Sequence, residues 1–271
     1  MIKKIMITGA TDGIGLETAK QLATEGHHLL IHGRNDEKLQ RVKQQLVAMS
    51  DATTIECYTA DLSHPQHVVQ LINTLKQHHN TLDVLINNAG VFKVPHTTTD
   101  AGLDVRFMVN TIAPYMLMQG LHALFNSTSR IINLSSAAQA PVNLDALAGR
   151  RSLDDMGAYA QSKLALTCFS HFMGIDNKEH GPAIIAVNPG SLLSSKMVHE
   201  GFGVEGKDIS IGADILVQAA LSDQFSNASG SYFDNDIQQF SQPHPHAIDA
   251  QKSAPILQFL TQLSDQYLAQ G

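Results

Sequence analysis

Tyr159 and Lys163 stand four residues apart in YAQSK, within a stretch whose apolar residues repeat at helical spacing. Side chains at i and i+4 lie one above the other on a helix, which would set an ammonium beside a phenol. A neighbouring cation favours the phenolate and would draw the tyrosine pKa down from about 10 toward neutrality. A phenol tuned in this way can give a proton to, or take one from, the oxygen of a carbonyl/alcohol pair. Ser136, closing the run RIINLSS, can hydrogen-bond the same oxygen. Ser135 competes for that role, but alternation along a strand turns the two hydroxyls to opposite sides. A Tyr-x-x-x-Lys pair alone is frequent surface decoration, so its weight depends on what else the chain carries. No G-x-S-x-G motif in the chain order of a hydrolase accompanies it.

A glycine cluster follows the first apolar run. TGATDGIG places glycines at 9, 13 and 15. Gly9 can make the tight turn, Gly13 lets backbone approach a pyrophosphate, and Gly15 lets the following helix pack on the sheet with its N-terminus facing phosphate charge. The spacing differs from the common G-x-G-x-x-G fingerprint, and a ligand-free βα turn is the alternative. Arg34 lies just beyond the second strand, where dinucleotide folds meet the adenosine ribose. An acid there binds the ribose hydroxyls, whereas an arginine suits a 2'-phosphate. A solvated surface arginine is the other reading. Asp61 can accept from an adenine amino group or cap the helix starting near His64. In NNAG, residues 87–90, small side chains permit close backbone approach to a ribose or form a plain turn.

These residues need a frame, and the hydrophobic pattern supplies one. Short β-rich runs (3–8, 28–33, 54–60, 82–88, 130–136, 182–190 and 230–235) alternate with helical segments. The helices are expected over 13–23, 35–49, 64–78, 99–125, 159–173, 210–221 and 254–268, Pro114 bending the fourth. Near-continuous apolar strands separated by helices predict an α/β fold: a Rossmann-type three-layer αβα sandwich on a mostly parallel, seven-stranded sheet. No linker or composition shift divides residues 1–271, so one domain is expected. A substrate-loop region falls at about 190–210, and its glycine-rich part, 196–208, reads as a lid.

Composition narrows the partners. The chain has 271 residues, 43% of them apolar, and a net charge of -7. With no basic block longer than Arg150-Arg151, nucleic acid is not expected. No run of 18 apolar residues predicts a membrane span. Cys57 and Cys168 sit in apolar-periodic segments and read as buried thiols, consistent with an intracellular, cytoplasmic protein. The histidines are scattered without zinc spacing, and no metal is expected.

The ordered series TGATDGIG, DL at 61–62, NNAG, VNTIAPYML around Asn110, NLSS, YAQSK and NPG at 188–190 resembles the short-chain dehydrogenase/reductase family along essentially the whole chain. The resemblance implies Tyr159 as general acid/base and Lys163 as the residue that binds nicotinamide-ribose hydroxyls and lowers the tyrosine pKa. It implies Ser136 as holder of the substrate oxygen and Asn110 as keeper of a bend and a relay water. It further implies cofactor contacts at Gly9, Thr11, Asp12, Gly13, Ile14 and Gly15, then Arg34, Asp61 and Leu62, then Asn88, Ala89 and Gly90. Pro189, Gly190 and Ser194 complete that set. The long loop between Ser136 and Tyr159, and the C-terminal segment, look like the branch containing retinol dehydrogenases, protochlorophyllide reductase and WW-domain oxidoreductase. That branch implies NADP(H), with NAD(H) as the alternative, and a small carbonyl or alcohol substrate of apolar character. Asp12 departs from the Asn or basic residue often found there, and its charge would oppose a 2'-phosphate. The family also pairs through the helices of Asn110 and Tyr159, so a homodimer is expected, with Met116, Leu117, Leu121, Leu164 and Phe172 as interface or core. A non-catalytic dinucleotide-binding scaffold is the competing functional class.

Overall fold

The computed structural model describes residues 1–270, the side chains of 200–202 excepted. In chain order its elements begin β1 (Lys4–Ile7), α1 (Gly13–Thr24), β2 (His28–Gly33), α2 (Asp36–Val47), β3 (Thr54–Thr59), α3 (Pro65–His78) and β4 (Val84–Asn87). A broken helix follows: α4 (Val105–Phe107), a π-helical turn at Met108–Ile112, and α5 (Ala113–Gly120). Then come β5 (Arg130–Leu134), α6 (Leu144–Leu147), α7 (Asp155–Asn177), β6 (Ala183–Asn188), α8 (Lys196–Phe202) and α9 (Ser210–Leu221). The chain closes with β7 (Tyr232–Asp234), β8 (Gln239–Ser241), α10 (Pro245–Ile248) and α11 (Ala250–Leu268).

All eight strands join one sheet in the order β3-β2-β1-β4-β5-β6-β7-β8. Strands such as AIIAVN are buried at every residue, the pattern of a parallel sheet covered on both faces. Side-chain alternation divides the interior. Met6, Leu85, Ile131 and Ile184 face one core with residues of α3, α5, α7 and α11. Ile5, Ile7, Ile86 and Ile132 face the other with residues of α1, α2 and α9. The order reverses between β1 and β4. Connections leave the sheet there toward opposite faces and open a crevice at the strands' C-terminal ends, the usual ligand position in such sheets.

The seven parallel strands match the expected sheet, and β8 adds an eighth, antiparallel to β7 through Tyr232↔Ser241, Phe233↔Phe240 and Asp234↔Gln239. It was illegible because three residues carry too little periodicity. Its anchor is Phe240, stacked with Phe225 and Phe233 at 5.1 Å from each. The expected helix over 99–125 is shorter and interrupted. Gly102 takes φ 78° in a turn, and Asp104 caps α4 by accepting from the Arg106 N–H at 2.8 Å. Pro114 lacks the N–H an α-helix would direct to the Asn110 carbonyl. The backbone just before it widens into the π turn, with Ala113 N–H donating to Met108 five residues back.

The stretch 196–208 is not all loop. Ser195 caps α8, Gly203 ends it with φ 67°, and Leu193 pairs with Lys207 across its base. The side chains of 200–202 lie outside the described residues. Cys168 is buried as expected, but Cys57 is only half-buried, because its strand β3 is the sheet's edge. Met116, Leu117, Leu121 and Leu164 are buried inside this one chain, with α11 tied to α5 by a 2.7 Å Tyr115–Thr261 hydroxyl bond. These four serve as core, while Phe172 on α7 is half-buried. Among the described residues, no helix is long and apolar enough to cross a membrane.

Candidate active site

A cleft of about 550 Å³ opens at the reversal point, and most of the sequence-predicted positions meet there. Its floor is the junction of the loops after β1 and β4. Gly9 turns with φ 66°, and a Cβ on it would meet Ala89 Cα at 2.9 Å. Asn88 fixes the junction: its Nδ2 donates to the carbonyls of Thr8 (2.9 Å) and Gly9 (3.1 Å), and its backbone N–H donates to Thr8 Oγ1 (3.1 Å). A Cβ on Gly15 would strike that carboxamide, so glycine lets α1 settle onto it. Asn88 therefore spends its side chain on the fold, and Gly15 supports the cleft without lining it.

Gly13 and Ile14 bring the N-terminus of α1 to the cleft wall beside Thr11 and Asp12. Asp12 caps that helix, Oδ1 accepting from the Gly13 N–H at 2.8 Å. Its Oδ2 lies 2.9 Å from the Lys38 ammonium. The Lys38 bond, outweighing burial, holds the Asp12 carboxyl below its usual range. At the outer end stand Arg34, exposed, with Asp61 and Leu62. Asp61 neither caps α3 nor points away: it accepts from Ser63 N–H (2.9 Å) and Oγ (2.8 Å) in the preceding turn. Burial raises its pKa, but those bonds and the Arg34 charge prevail and lower it.

The inner end is built by α7, β5 and the π turn. Asn110, 1% exposed, accepts from the Val91 N–H at 2.8 Å. Its Nδ2 donates to Val91 O and Ser162 Oγ, each at 3.0 Å. Lys163 is buried, donating to Leu134 O at 2.7 Å, its Nζ 5.7 Å from the Tyr159 ring centre. A Cβ on Gly90 would lie 3.5 Å from both Lys163 Nζ and Asn110 Oδ1. Ser135 lines the cleft and shares a 2.7 Å hydroxyl bond with Thr167, whereas Ser136, hydrogen-bonded to Tyr159, and Asn110 lie behind its wall. Ser136 Oγ accepts from Ala138 N–H, and its carbonyl accepts from Gln139 Nε2 and the Tyr232 hydroxyl.

The electrostatics depart from the sequence expectation at the tyrosine. Burial pushes the Tyr159 phenol up, and the Ser136 hydrogen bond only partly opposes it. Burial also pulls Lys163 down to about 8. Helical spacing placed the ammonium beside the ring, but its 2.7 Å bond goes to the Leu134 carbonyl.

Pro189 lines the cleft after β6, whereas Gly190 and Ser194 are not on its wall; Ser195 is. Ser194 instead meets His199 Nε2 at 3.3 Å. Phe92, Val94 and Met197 are apolar lining of the cleft, and Phe92 packs edge-on to Tyr159 at 5.2 Å. Val198 is buried. His32 carries no signal in the sequence, where a lone histidine in an apolar strand has no distinguishing spacing. It is 2% exposed, its Nδ1 accepting from the Gly9 N–H at 3.2 Å and its Nε2–H donating to Ala60 O at 3.1 Å. A neutral imidazole thus holds the glycine turn against β3. The outer cation, the helix N-terminus and the buried ammonium form a donor set that fits a phosphorylated dinucleotide.

Comparison with known proteins agrees. A family model described as short chain dehydrogenase matches residues 3–202. Retinol dehydrogenase 13 of Homo sapiens is 29% identical over 266 residues, covering 91% of this chain and 80% of that protein. The WW domain-containing oxidoreductase of Drosophila melanogaster is 29% identical over 284 residues, covering 98% of this chain and 68% of that protein. The crystal structure of a metagenomic short-chain oxidoreductase in complex with NADP superposes with a TM-score of 0.61 at 29% identity, covering 80% of this chain and 90% of that one.

His32 makes the glycine turn acid-sensitive. Burial depresses its folded-state pKa from 6.5 to about 4. The unfolded chain therefore binds the extra proton between those values, so stability is full above about 6.5 and is lost as pH falls toward 4. Urea unfolding of the parent should lose up to about 1.4 kcal/mol per pH unit more than His32→Gln across that window. Parallel stability profiles for the two proteins would contradict this role.

Proposed function

This chain belongs to the short-chain dehydrogenase/reductase family, an NAD(P)(H)-dependent oxidoreductase family, and on that premise we propose that it interconverts an aldehyde or ketone with its alcohol using NADP(H), Tyr159 moving the proton. The observation that carries this reading is that Tyr159 and the buried Lys163 line the inner end of the cleft together, 5.7 Å from ammonium to ring centre, with the Ser136 side chain hydrogen-bonded to the Tyr159 phenol. The nicotinamide, when bound, supplies or accepts the hydride. The chain's own residues hold the substrate and manage the proton.

In the reductive direction Ser136 and Tyr159 hydrogen-bond the carbonyl oxygen. The raised pKa keeps Tyr159 protonated at neutral pH, the state required to protonate a developing alkoxide. Lys163 keeps its charge at neutral pH, since its pKa of about 8 lies above it, and is the donor for ribose hydroxyls. Asn110 acts by holding Val91, and so Gly90, against Lys163. Phe92, Val94 and Met197 favour a substrate with an apolar body. Oxidation reverses these steps and requires the phenolate, which burial disfavours.

Arg34 supports the 2'-phosphate reading, as does the NADP complex of a 29% identical relative. Asp12, whose charge would oppose that phosphate, is paired with Lys38. Similarity to retinol dehydrogenase 13 and the WW domain-containing oxidoreductase, with the long loop before α7, supports the same branch for this chain.

Two substitutions test the reading. Tyr159→Phe should bind NADPH as the parent does while turnover of an active aldehyde falls about 100- to 10,000-fold. Turnover near the parent's would remove Tyr159 from the proton path. Arg34→Ala should weaken NADPH by roughly 10- to 150-fold, as expected for loss of charge-assisted bonds, and leave NADH nearly unchanged. Isothermal titration with both cofactors decides; equal losses for the two would contradict the 2'-phosphate assignment.

A further inference from the structure

Arg106 is the largest fully buried side chain, 0% exposed, and no part of the proposed chemistry uses it. Its guanidinium is held by two carboxylates. Asp104 takes Nε and Nη2, each at 2.7 Å, in a fork-to-carboxylate pair. Asp155 takes Nη1 at 2.6 Å. The two acids belong to different elements, since Asp104 caps α4 and Asp155 lies in the first turn of α7. Desolvation lowers the guanidinium pKa, and the two carboxylates more than offset it.

The placement is informative. Asn110 follows Arg106 by four residues and Tyr159 follows Asp155 by four, about one helical turn in each case. The ion triad therefore ties two helices together one turn before each bears its candidate functional residue. On the next turns the helices meet again, Asn110 Nδ2 donating to Ser162 Oγ and Thr111 Oγ1 to Ser162 O at 2.7 Å. Apolar packing alone allows neighbouring helices to slide, because it is non-directional. A bidentate guanidinium pair sets a fixed geometry.

We propose that the triad of buried Arg106 with Asp104 and Asp155 is a positioning device that sets the register of the Asn110 helix against α7, and thereby the geometry of Asn110, Tyr159 and Lys163. This rests on the proposed oxidoreductase reading for its catalytic consequence, but its structural consequence can be read without turnover. Asp155, with its side chain 43% exposed, is the member to change, since Arg106 then keeps Asp104 as its counter-charge.

The test compares the full-length parent with Asp155→Ala and Asp155→Asn, the latter retaining an acceptor oxygen for Nη1. In Asp155→Ala, exchange of the Val91 amide hydrogen, which is bonded to Asn110, should speed by about tenfold or more relative to the amide of Ile132 in β5. The kcat for an active aldehyde should fall about 10- to 100-fold, with KM and the NADPH dissociation constant within about twofold of the parent. Asp155→Asn should recover most of both effects. Unchanged Val91 exchange in Asp155→Ala, or faster exchange with unaltered kcat, would overturn the proposal. If the parent reduces no carbonyl compound, the oxidoreductase reading fails, and the exchange measurement alone decides the triad.

Discussion

The inner end of the cleft depends on one carboxamide. β4 ends at Asn87, and the chain beyond it leaves the sheet with backbone groups that need partners. Asn110 meets the N–H and the carbonyl of Val91 together, acting as a substitute strand. It is buried, so leaving these groups unpaired would cost roughly 1–3 kcal/mol for each. The same Nδ2 reaches Ser162 on α7. The loop after β4, the π turn and α7 are thereby fixed to one another, and Gly90 is brought to Lys163. The π turn makes this geometry available by widening the helix just ahead of Pro114.

α7 is pinned to β5 in the same polar manner. Lys163 donates to Leu134 O, Thr167 shares a hydroxyl bond with Ser135, and Ser170 Oγ accepts from Asn133 Nδ2. These contacts fall on successive turns of one helix face, all in the interior. Asn133 continues the chain of bonds to Asn87 on β4 at 2.8 Å. Satisfied polar contacts in a low-dielectric core specify register more narrowly than apolar contacts do. That register carries Tyr159 to Ser136. On the other side of the crevice, Asn88 and His32 do comparable work for the glycine turn.

Much of this was legible in the sequence because it depends on period and spacing. Buried parallel strands read as apolar runs, and glycines reported where backbone must approach backbone. The helical spacing of Tyr159 and Lys163 placed both on one face. What escaped has a physical reason in each case. β8 is too short for a pattern, and the π turn leaves no apolar signature. His32 and Arg106 matter through burial and long-range partners that a single sequence does not display. The direction of the Tyr159 pKa is not legible, because spacing reveals the neighbouring ammonium but neither the desolvation of the phenol nor the carbonyl that the ammonium serves. Asn88 lines the cleft, as its place in NNAG predicts, but that its amide joins the two loops depends on long-range partners that spacing does not reveal.

The proposed reaction brings a carbonyl carbon against a nicotinamide in this cleft while Tyr159 supplies the proton. The most direct measurement is isotope transfer. The parent protein would be incubated with aldehydes and with NADPH carrying deuterium at one or the other face of the nicotinamide C4, and the alcohol product analysed by mass spectrometry. One deuterium is expected on the former carbonyl carbon, from one of the two labelled forms only. NADPH that binds tightly yet transfers no deuterium to any aldehyde or ketone would contradict it.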